Sequence, residues 1–118
     1  MDKNTEIAML LDLYGKVLSP IQFKSIDLYY NQDLSLSEIS YHTGKSRQGV
    51  YDSIKRSEAI LLKIENSLGF LEKMRKITAT LEEITATASE IKNSANDETL
   101  ALKAEKIEQM ASGLKHKI

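Results

Sequence analysis

Apolar side chains recur at intervals of three and four residues along the chain, which is the spacing of one face of an α-helix. Near the start, this pattern predicts a helix over residues 4–15, with Gly15 as a left-handed cap. Ser19 and Pro20 are typical of a helix start and predict a second helix that ends near Asn31. No run of four or more residues alternates as a strand would. The chain is therefore predicted to be all-α.

A helix-turn-helix pattern follows. Ser35 and Glu38 have the spacing of a capping box and predict a short helix over residues 36–43. Gly44 suits a sharp turn, and Ser46 is placed to cap a fourth helix. The inward positions of that helix are predicted to be Val50, Ile54, Ser57 or Glu58, and Leu61. We assign residues 1–66 to a helix-turn-helix domain.

The pattern changes beyond Leu68 and Gly69 to alternating gaps of four and three, which form the a/d seam of a heptad repeat. A polar break near Asn93 separates it from a second series with the same spacing, which begins at Leu100. An apolar seam this narrow needs a facing helix to cover it. Residues 67–118 are therefore predicted to form an antiparallel hairpin, to pair with another copy of the chain, or both. We expect a homodimer, with contacts through Phe70, Met74, Ile77, Leu81, Ile84 and Ile91.

Composition narrows the class of protein. The 118 residues include no Cys, which excludes disulfides, a thiolate nucleophile and Cys-based zinc sites and fits a cytoplasmic location. No apolar stretch approaches the length of a membrane span. His42 and His116 lack ligand partners at metal-binding spacing, and no Gly-rich phosphate loop is present. We therefore expect no metal, no cofactor and no enzymatic activity.

The outward face of the fourth helix carries the candidate chemistry. Arg and Lys side chains read guanine edges, Gln reads adenine, and hydroxyls contact phosphate. The residue types that suit a nucleic-acid contact here are Lys45, Ser46, Arg47, Gln48, Tyr51, Lys55 and Arg56. Asp52 stands within this face, where it can accept from a cytosine amino group but repels phosphate. Asp52 and a net charge of −1 leave a second reading open, a protein-interaction adaptor that does not bind DNA.

Two resemblances carry these expectations further. Residues 18–63 resemble the promoter-reading fourth region of bacterial sigma factors. The whole chain resembles the YlxM-type family of small bacterial proteins in Leu11-Asp12-Leu13-Tyr14-Gly15, Ser46-Arg47-Gln48, Val50-Tyr51-Asp52 and Leu68-Gly69-Phe70-Leu71, followed by heptads. The resemblance implies a sigma-like, winged-helix-like DNA-binding regulator that takes part in the signal recognition particle pathway.

The same resemblance implies nucleic-acid contacts by Ser46, Arg47, Gln48 and Lys55. A link to the signal recognition particle makes structured RNA a rival ligand, and the particle's components become candidate partners. Tyr41, His42 and Tyr51 are then the residues expected to stack on unpaired bases.

Overall fold

The computed structural model describes all residues, 1–118, and contains six α-helices and no strand. The helices are α1 (Lys3–Tyr14), α2 (Pro20–Tyr30), α3 (Leu36–Thr43), α4 (Arg47–Leu68), α5 (Phe70–Ser94) and α6 (Glu98–Lys117). The all-α prediction is confirmed. The winged-helix-like form is wrong, because a wing is a β-hairpin and the chain has no strand. The helices form two compact units, Met1–Leu71 and Glu72–Ile118.

The core of the first unit lies between α1, α2 and α4. Ile7 and Leu10 from α1, Ile26 from α2 and Leu61 from α4 are each no more than 1% exposed. Burial of such a side chain contributes about 1.5–3 kcal/mol, so each of these four residues stabilises the first unit substantially. Leu71, in the first turn of α5, is buried in the same core.

The predicted helix starts in this unit are confirmed by their caps. The Ser35 hydroxyl accepts from the Glu38 amide at 3.1 Å, and the Glu38 carboxylate accepts from the Ser35 amide at 3.0 Å. The bond from the Ser35 amide is the main cause of a lowered pKa of Glu38, because it stabilises the ionised carboxylate. Ser46 caps α4, and the residues predicted to face inward from α4 are all buried: Val50, Ile54, Ser57, Glu58 and Leu61.

Gly15 differs from the prediction. Its φ of −57° is right-handed, so the expected left-handed cap is wrong, and the chain continues into a 3₁₀ turn over Gly15–Val17. The requirement for glycine is steric, because a Cβ at this position would lie 2.8 Å from the ring of Phe23. The glycine lets α2 approach the end of α1.

The second unit is an antiparallel hairpin of α5 and α6 within one chain. Two ion pairs join the helices, Lys92 to Glu108 at 3.2 Å and Lys115 to Glu82 at 2.9 Å. The two ion pairs fix the register of the hairpin. The turn of α5 around Ala88 therefore lies beside the turn of α6 around Ala111. The buried residues of this unit are Leu81, Ala88, Ala104 and Ala111. One row of the predicted heptad seam therefore pairs within the chain.

The other row of the seam remains exposed. Its members recur every seven residues on each helix and are 39% to 50% exposed: Ile77, Ile84, Ile91, Leu100, Ile107 and Leu114. We call these six residues the outer row. Ile84 and Ile91 of α5 and Ile107 of α6 line one open groove, so the outer row of both helices shares one face of the hairpin.

Candidate nucleic-acid interface

The α3–turn–α4 pair is held by its own small core. Ile39 of α3 meets Val50 and Ile54 of α4, and all three side chains are at most 3% exposed. Leu28 and Leu34 pack against this cluster from the preceding segment. The two helices are therefore fixed to each other through their inward faces, which leaves the outward face of α4 for a ligand.

The turn between α3 and α4 is stabilised at three points. Gly44 adopts a left-handed conformation with φ of 72°, and its amide donates to the carbonyl of Ser40 at 2.9 Å. The Ser40 hydroxyl donates to the carbonyl of Lys45. The Thr43 hydroxyl donates to the carbonyl of Ile39 at 2.9 Å. Polar Thr43 at the end of α3 is thus accommodated by a local hydrogen bond.

The first turn of α4 is shaped by Ser46 and Gly49. The Ser46 hydroxyl accepts from the Gly49 amide at 3.0 Å. A Cβ at position 49 would lie 3.1 Å from that hydroxyl oxygen, closer than side chains normally approach. Glycine therefore leaves room for the cap, and the remaining free amides favour an anion at this end of α4.

All seven residues predicted from the sequence to contact nucleic acid are exposed, and they extend over the turn and the first half of α4. No ion pair within the chain engages Lys45, Arg47 or Arg56. A shallow groove runs between the helices, lined by Leu36, Arg47, Gln48 and Tyr51. The structure thus brings an unpaired arginine, an amide and an aromatic side chain around one depression.

Lys55 is less available than its position suggests. Its Nζ lies 3.5 Å from the Glu58 carboxylate and 5.6 Å from the centroid of the Tyr51 ring. Glu58 is only 6% exposed, and it also pairs with Lys3 at 3.6 Å and accepts from the Tyr30 hydroxyl. The charge of Lys55 is therefore partly balanced by Glu58, whose partners the sequence did not reveal.

Asp52 forms a defined contact with Gln48, one helical turn before it. The Gln48 Nε2 donates to the Asp52 Oδ1 at 3.0 Å, and both side chains are exposed. The spacing of four residues was the signal for this pair, because residues i and i+4 are neighbours on a helix surface. Asp52 is thus a hydrogen-bond partner within the candidate face as well as a negative charge.

The residues considered for stacking on RNA bases differ in accessibility. Tyr41 is 88% exposed, and its ring meets His42 edge to face at 5.9 Å between centroids. Tyr51 is 44% exposed and lies beside Lys55. Tyr41 and Tyr51 belong to different helices, α3 and α4.

The residues predicted for dimerisation fall into two sets. Ile77, Ile84 and Ile91 belong to the outer row, and Phe70 is 48% exposed while stacking on Tyr14. Leu81 is only 8% exposed, and Met74 is half-buried. Leu81 is therefore engaged within the chain.

The short α3, the left-handed turn at Gly44 and the exposed start of α4 define a helix-turn-helix protein. The chain belongs to the YlxM/p13-like family, whose model is described as "Putative helix-turn-helix protein, YlxM / p13 like" and matches residues 1–102. The expected family resemblance is confirmed. The family is defined by this motif and not by an enzymatic activity.

Several bacterial proteins with the printed name UPF0122 protein are similar in sequence. One from Acetivibrio thermocellus is 53% identical over 73 residues, which span 62% of each protein. Another from Clostridium kluyveri is 47% identical over 77 residues, or 65% of this chain and 69% of the relative. A relative from Clostridium botulinum is 40% identical over 114 residues, 93% of this chain and 100% of that protein.

No helix of the chain is both long enough and apolar enough to span a membrane.

Proposed function

We propose that this protein is a DNA-binding regulator that inserts the first half of α4 into the major groove of duplex DNA. The observation that carries the proposal is the exposure of Lys45 in the turn and of Arg47 and Arg56 in α4, with no ion pair to any of them. Unpaired cations on the turn and on the exposed face of a recognition helix suit phosphate oxygens and guanine edges.

Each residue of the face has a distinct role in this proposal. Arg47 and Gln48 line the groove beside α3 and contact base edges. Lys45, Ser46 and Tyr51 contact phosphates around the start of α4, where free helix amides add a favourable field. Lys55 and Arg56 lie further along the helix and contact phosphates of the flanking DNA. The contact of Lys55 is the weaker of the two, because Glu58 competes for its ammonium group.

We further propose that two copies associate through the outer row of the α5–α6 hairpin. Large apolar residues at seven-residue spacing are the pattern through which helices pack in bundles. A second hairpin placed against the outer row would complete a four-helix bundle and supply two recognition helices. Avidity between two linked sites then offsets the modest charge of each face.

The proposed physiological setting is the cytoplasm and the signal recognition particle pathway, and it rests on the family resemblance. Components of the particle are the candidate protein partners. Regulation of genes for protein targeting is the role that joins a DNA-reading motif to this pathway.

Two other functions have observations in their favour. The 88% exposure of Tyr41 beside His42 suits stacking on unpaired bases and favours structured RNA as the ligand. The exposed outer row, with Asp52 on the α4 face, favours an adaptor that binds a helix of the targeting machinery without contacting nucleic acid.

Fluorescence anisotropy separates these functions. The protein is titrated against mixed-sequence duplex DNA and against a structured bacterial RNA, each at two salt concentrations. A DNA-binding protein is expected to bind the duplex with an affinity that falls steeply with the logarithm of salt, because each phosphate contact releases counterions. Tighter binding to the RNA would favour the RNA function, and binding to neither polymer would favour the adaptor.

A charge-reversal pair locates the surface. Lys45→Glu combined with Arg47→Glu is expected to abolish binding to the duplex while the helical circular dichroism signal stays unchanged. Lys103→Glu combined with Lys106→Glu makes the same change of charge on exposed positions of α6 and is the matched control. Equal losses in both double variants would place the binding surface elsewhere.

A further inference from the structure

The negative charge of Asp52 determines which end of the Gln48 amide contacts it. Gln48 directs its amide nitrogen, and not its oxygen, to the Asp52 carboxylate, with 3.0 Å between Nε2 and Oδ1. The opposite orientation would set two oxygen acceptors against each other. No other hydrogen bond or ion pair engages either side chain. Asp52 therefore restricts the orientation of the Gln48 amide.

The restricted amide keeps the groups that adenine requires. A carboxamide nitrogen has two hydrogens, and one is used by Asp52. When Asp52 accepts the hydrogen trans to Oε1, the hydrogen cis to Oε1 and Oε1 itself remain on one edge and match N7 and N6 of adenine in the major groove. The intrachain hydrogen bond thus orients Gln48 without consuming its base-reading edge.

Asp52 also retains an unused acceptor. Its Oδ1 holds Gln48, while Oδ2 has no partner in the chain. A carboxylate oxygen in the major groove accepts from the N4 amino group of cytosine and has no donor to accept from on guanine. Asp52 can therefore hold Gln48 with one oxygen and contact a base with the other.

We propose that Gln48 and Asp52 act as one reading unit that selects an adenine together with a nearby cytosine in duplex DNA, with Asp52 as the positioning residue for Gln48. The inference rests on the proposed DNA-binding function and deepens it by naming the bases. Residues four apart lie about 6 Å apart along a helix, at 1.5 Å per residue. Stacked bases rise about 3.4 Å per step, so the two bases lie one or two steps apart.

Selection from a duplex library with a randomised central segment tests this pairing. The wild-type chain is expected to enrich sites that contain both bases at this separation. Asp52→Ala frees Gln48 and removes the acceptor, so the preferences for adenine and for cytosine are each expected to fall about tenfold. Gln48→Ala is expected to lose the adenine preference and keep the cytosine preference.

Asp52→Asn separates the two roles of the aspartate. Its amide oxygen still accepts from Gln48, so the adenine preference is expected to survive. Its amide nitrogen then faces the cytosine amino group, donor against donor, so the cytosine preference is lost. Asp12→Asn, on an exposed position of α1, makes the same change of charge and is expected to leave both preferences unchanged.

The possible failures are distinguishable. Wild-type binding to duplex DNA with no enrichment of adenine and cytosine would overturn the reading unit and leave the DNA-binding function standing. Unchanged base preferences in a folded Asp52→Ala variant would also overturn it. A wild-type chain that binds no duplex at all would overturn both proposals.

Discussion

The hydroxyl of Tyr30 donates a hydrogen bond to the carboxylate of Glu58 and so joins α2 to α4. Lys3 of α1 lies 3.6 Å from the same carboxylate, and Lys55 lies 3.5 Å from it. A charge that is 94% removed from solvent is costly unless it is paired, and here three donors from three helices pair it. Glu58 thereby links α4 to both α1 and α2.

Tyr30→Phe removes the one neutral donor to Glu58. The free energy of unfolding of this variant is expected to fall by about 1–2 kcal/mol, because a buried carboxylate loses a hydrogen bond. Tyr29→Phe is the matched control, since Tyr29 is more exposed and a Phe preserves its edge-to-face contact with Tyr30. Chemical denaturation monitored by circular dichroism measures the free energy of unfolding of both variants. Similar losses in the two variants would show that the hydroxyl of Tyr30 adds nothing specific.

Alkaline pH is expected to weaken the fold through the same tyrosine. Burial raises the pKa of Tyr30 above its ordinary value of 10.0, and the hydrogen bond from Tyr30 to Glu58 adds to the increase. The folded state therefore holds this proton more tightly than the unfolded state does. The contribution is complete below pH 10 and declines as the pH rises above that value.

Denaturation curves recorded from pH 8 upward measure this effect. The difference in stability between the wild type and Tyr30→Phe is expected to narrow above pH 10. A constant difference across the range would contradict the role of this proton. Tyr14, whose pKa is raised by burial and by its hydrogen bond to Glu65, contributes equally to both chains and cancels in the comparison.

Substitution of two glycines by alanine is expected to have opposite effects. Gly44→Ala forces a side chain into a conformation with φ of 72° and should cost about 1 kcal/mol, although no atom lies within 4 Å of the new Cβ. Gly113→Ala lies within α6, has equal space and should gain about 0.5–1 kcal/mol of helix stability. Thermal unfolding of both variants shows whether each substitution raises or lowers the stability of the chain. A neutral Gly44→Ala would indicate that the turn relaxes to another conformation.

Charged substitutions at the centre of the outer row test the proposed dimer. Ile77→Asp combined with Ile84→Asp is expected to convert the proposed dimer to a monomer, because two buried carboxylates per chain would oppose association. Ala79→Asp combined with Ala86→Asp places the same charges at exposed positions with the same spacing and should leave the dimer intact. Sedimentation velocity separates the two outcomes. A wild-type chain that sediments as a monomer would reject the proposed dimer.

The sequence was most informative where structure is decided locally. Ser35, Glu38 and Ser46 predict their helix starts correctly, because each cap depends on residues within three positions. The left-handed cap predicted at Gly15 is wrong, because the requirement for glycine there comes from the ring of Phe23 on another helix. The pairing of Tyr30 with Glu58 spans 28 positions and left no local signal.

Which half of the heptad seam pairs within the chain was also left open by the sequence. The buried positions of the hairpin are Leu81 and the small residues Ala88, Ala104 and Ala111, and the spacing of the seam does not distinguish them from the exposed positions. The outer row, whose isoleucine and leucine side chains have the same seven-residue spacing, is the one left exposed. The candidate DNA-contacting residues remain predictions that rest on exposure and residue type.

The alanine content of the buried row, Leu81, Ala88, Ala104 and Ala111, also affects how the second unit melts. Three of its four buried residues are alanines, each of which removes little apolar surface from water, while the outer row keeps isoleucine and leucine exposed. Much of the hydrophobic stabilisation open to α5 and α6 is therefore realised only when another surface covers them. For a chain that dimerises there, association and folding of the hairpin are one linked equilibrium, and its melting temperature rises with protein concentration.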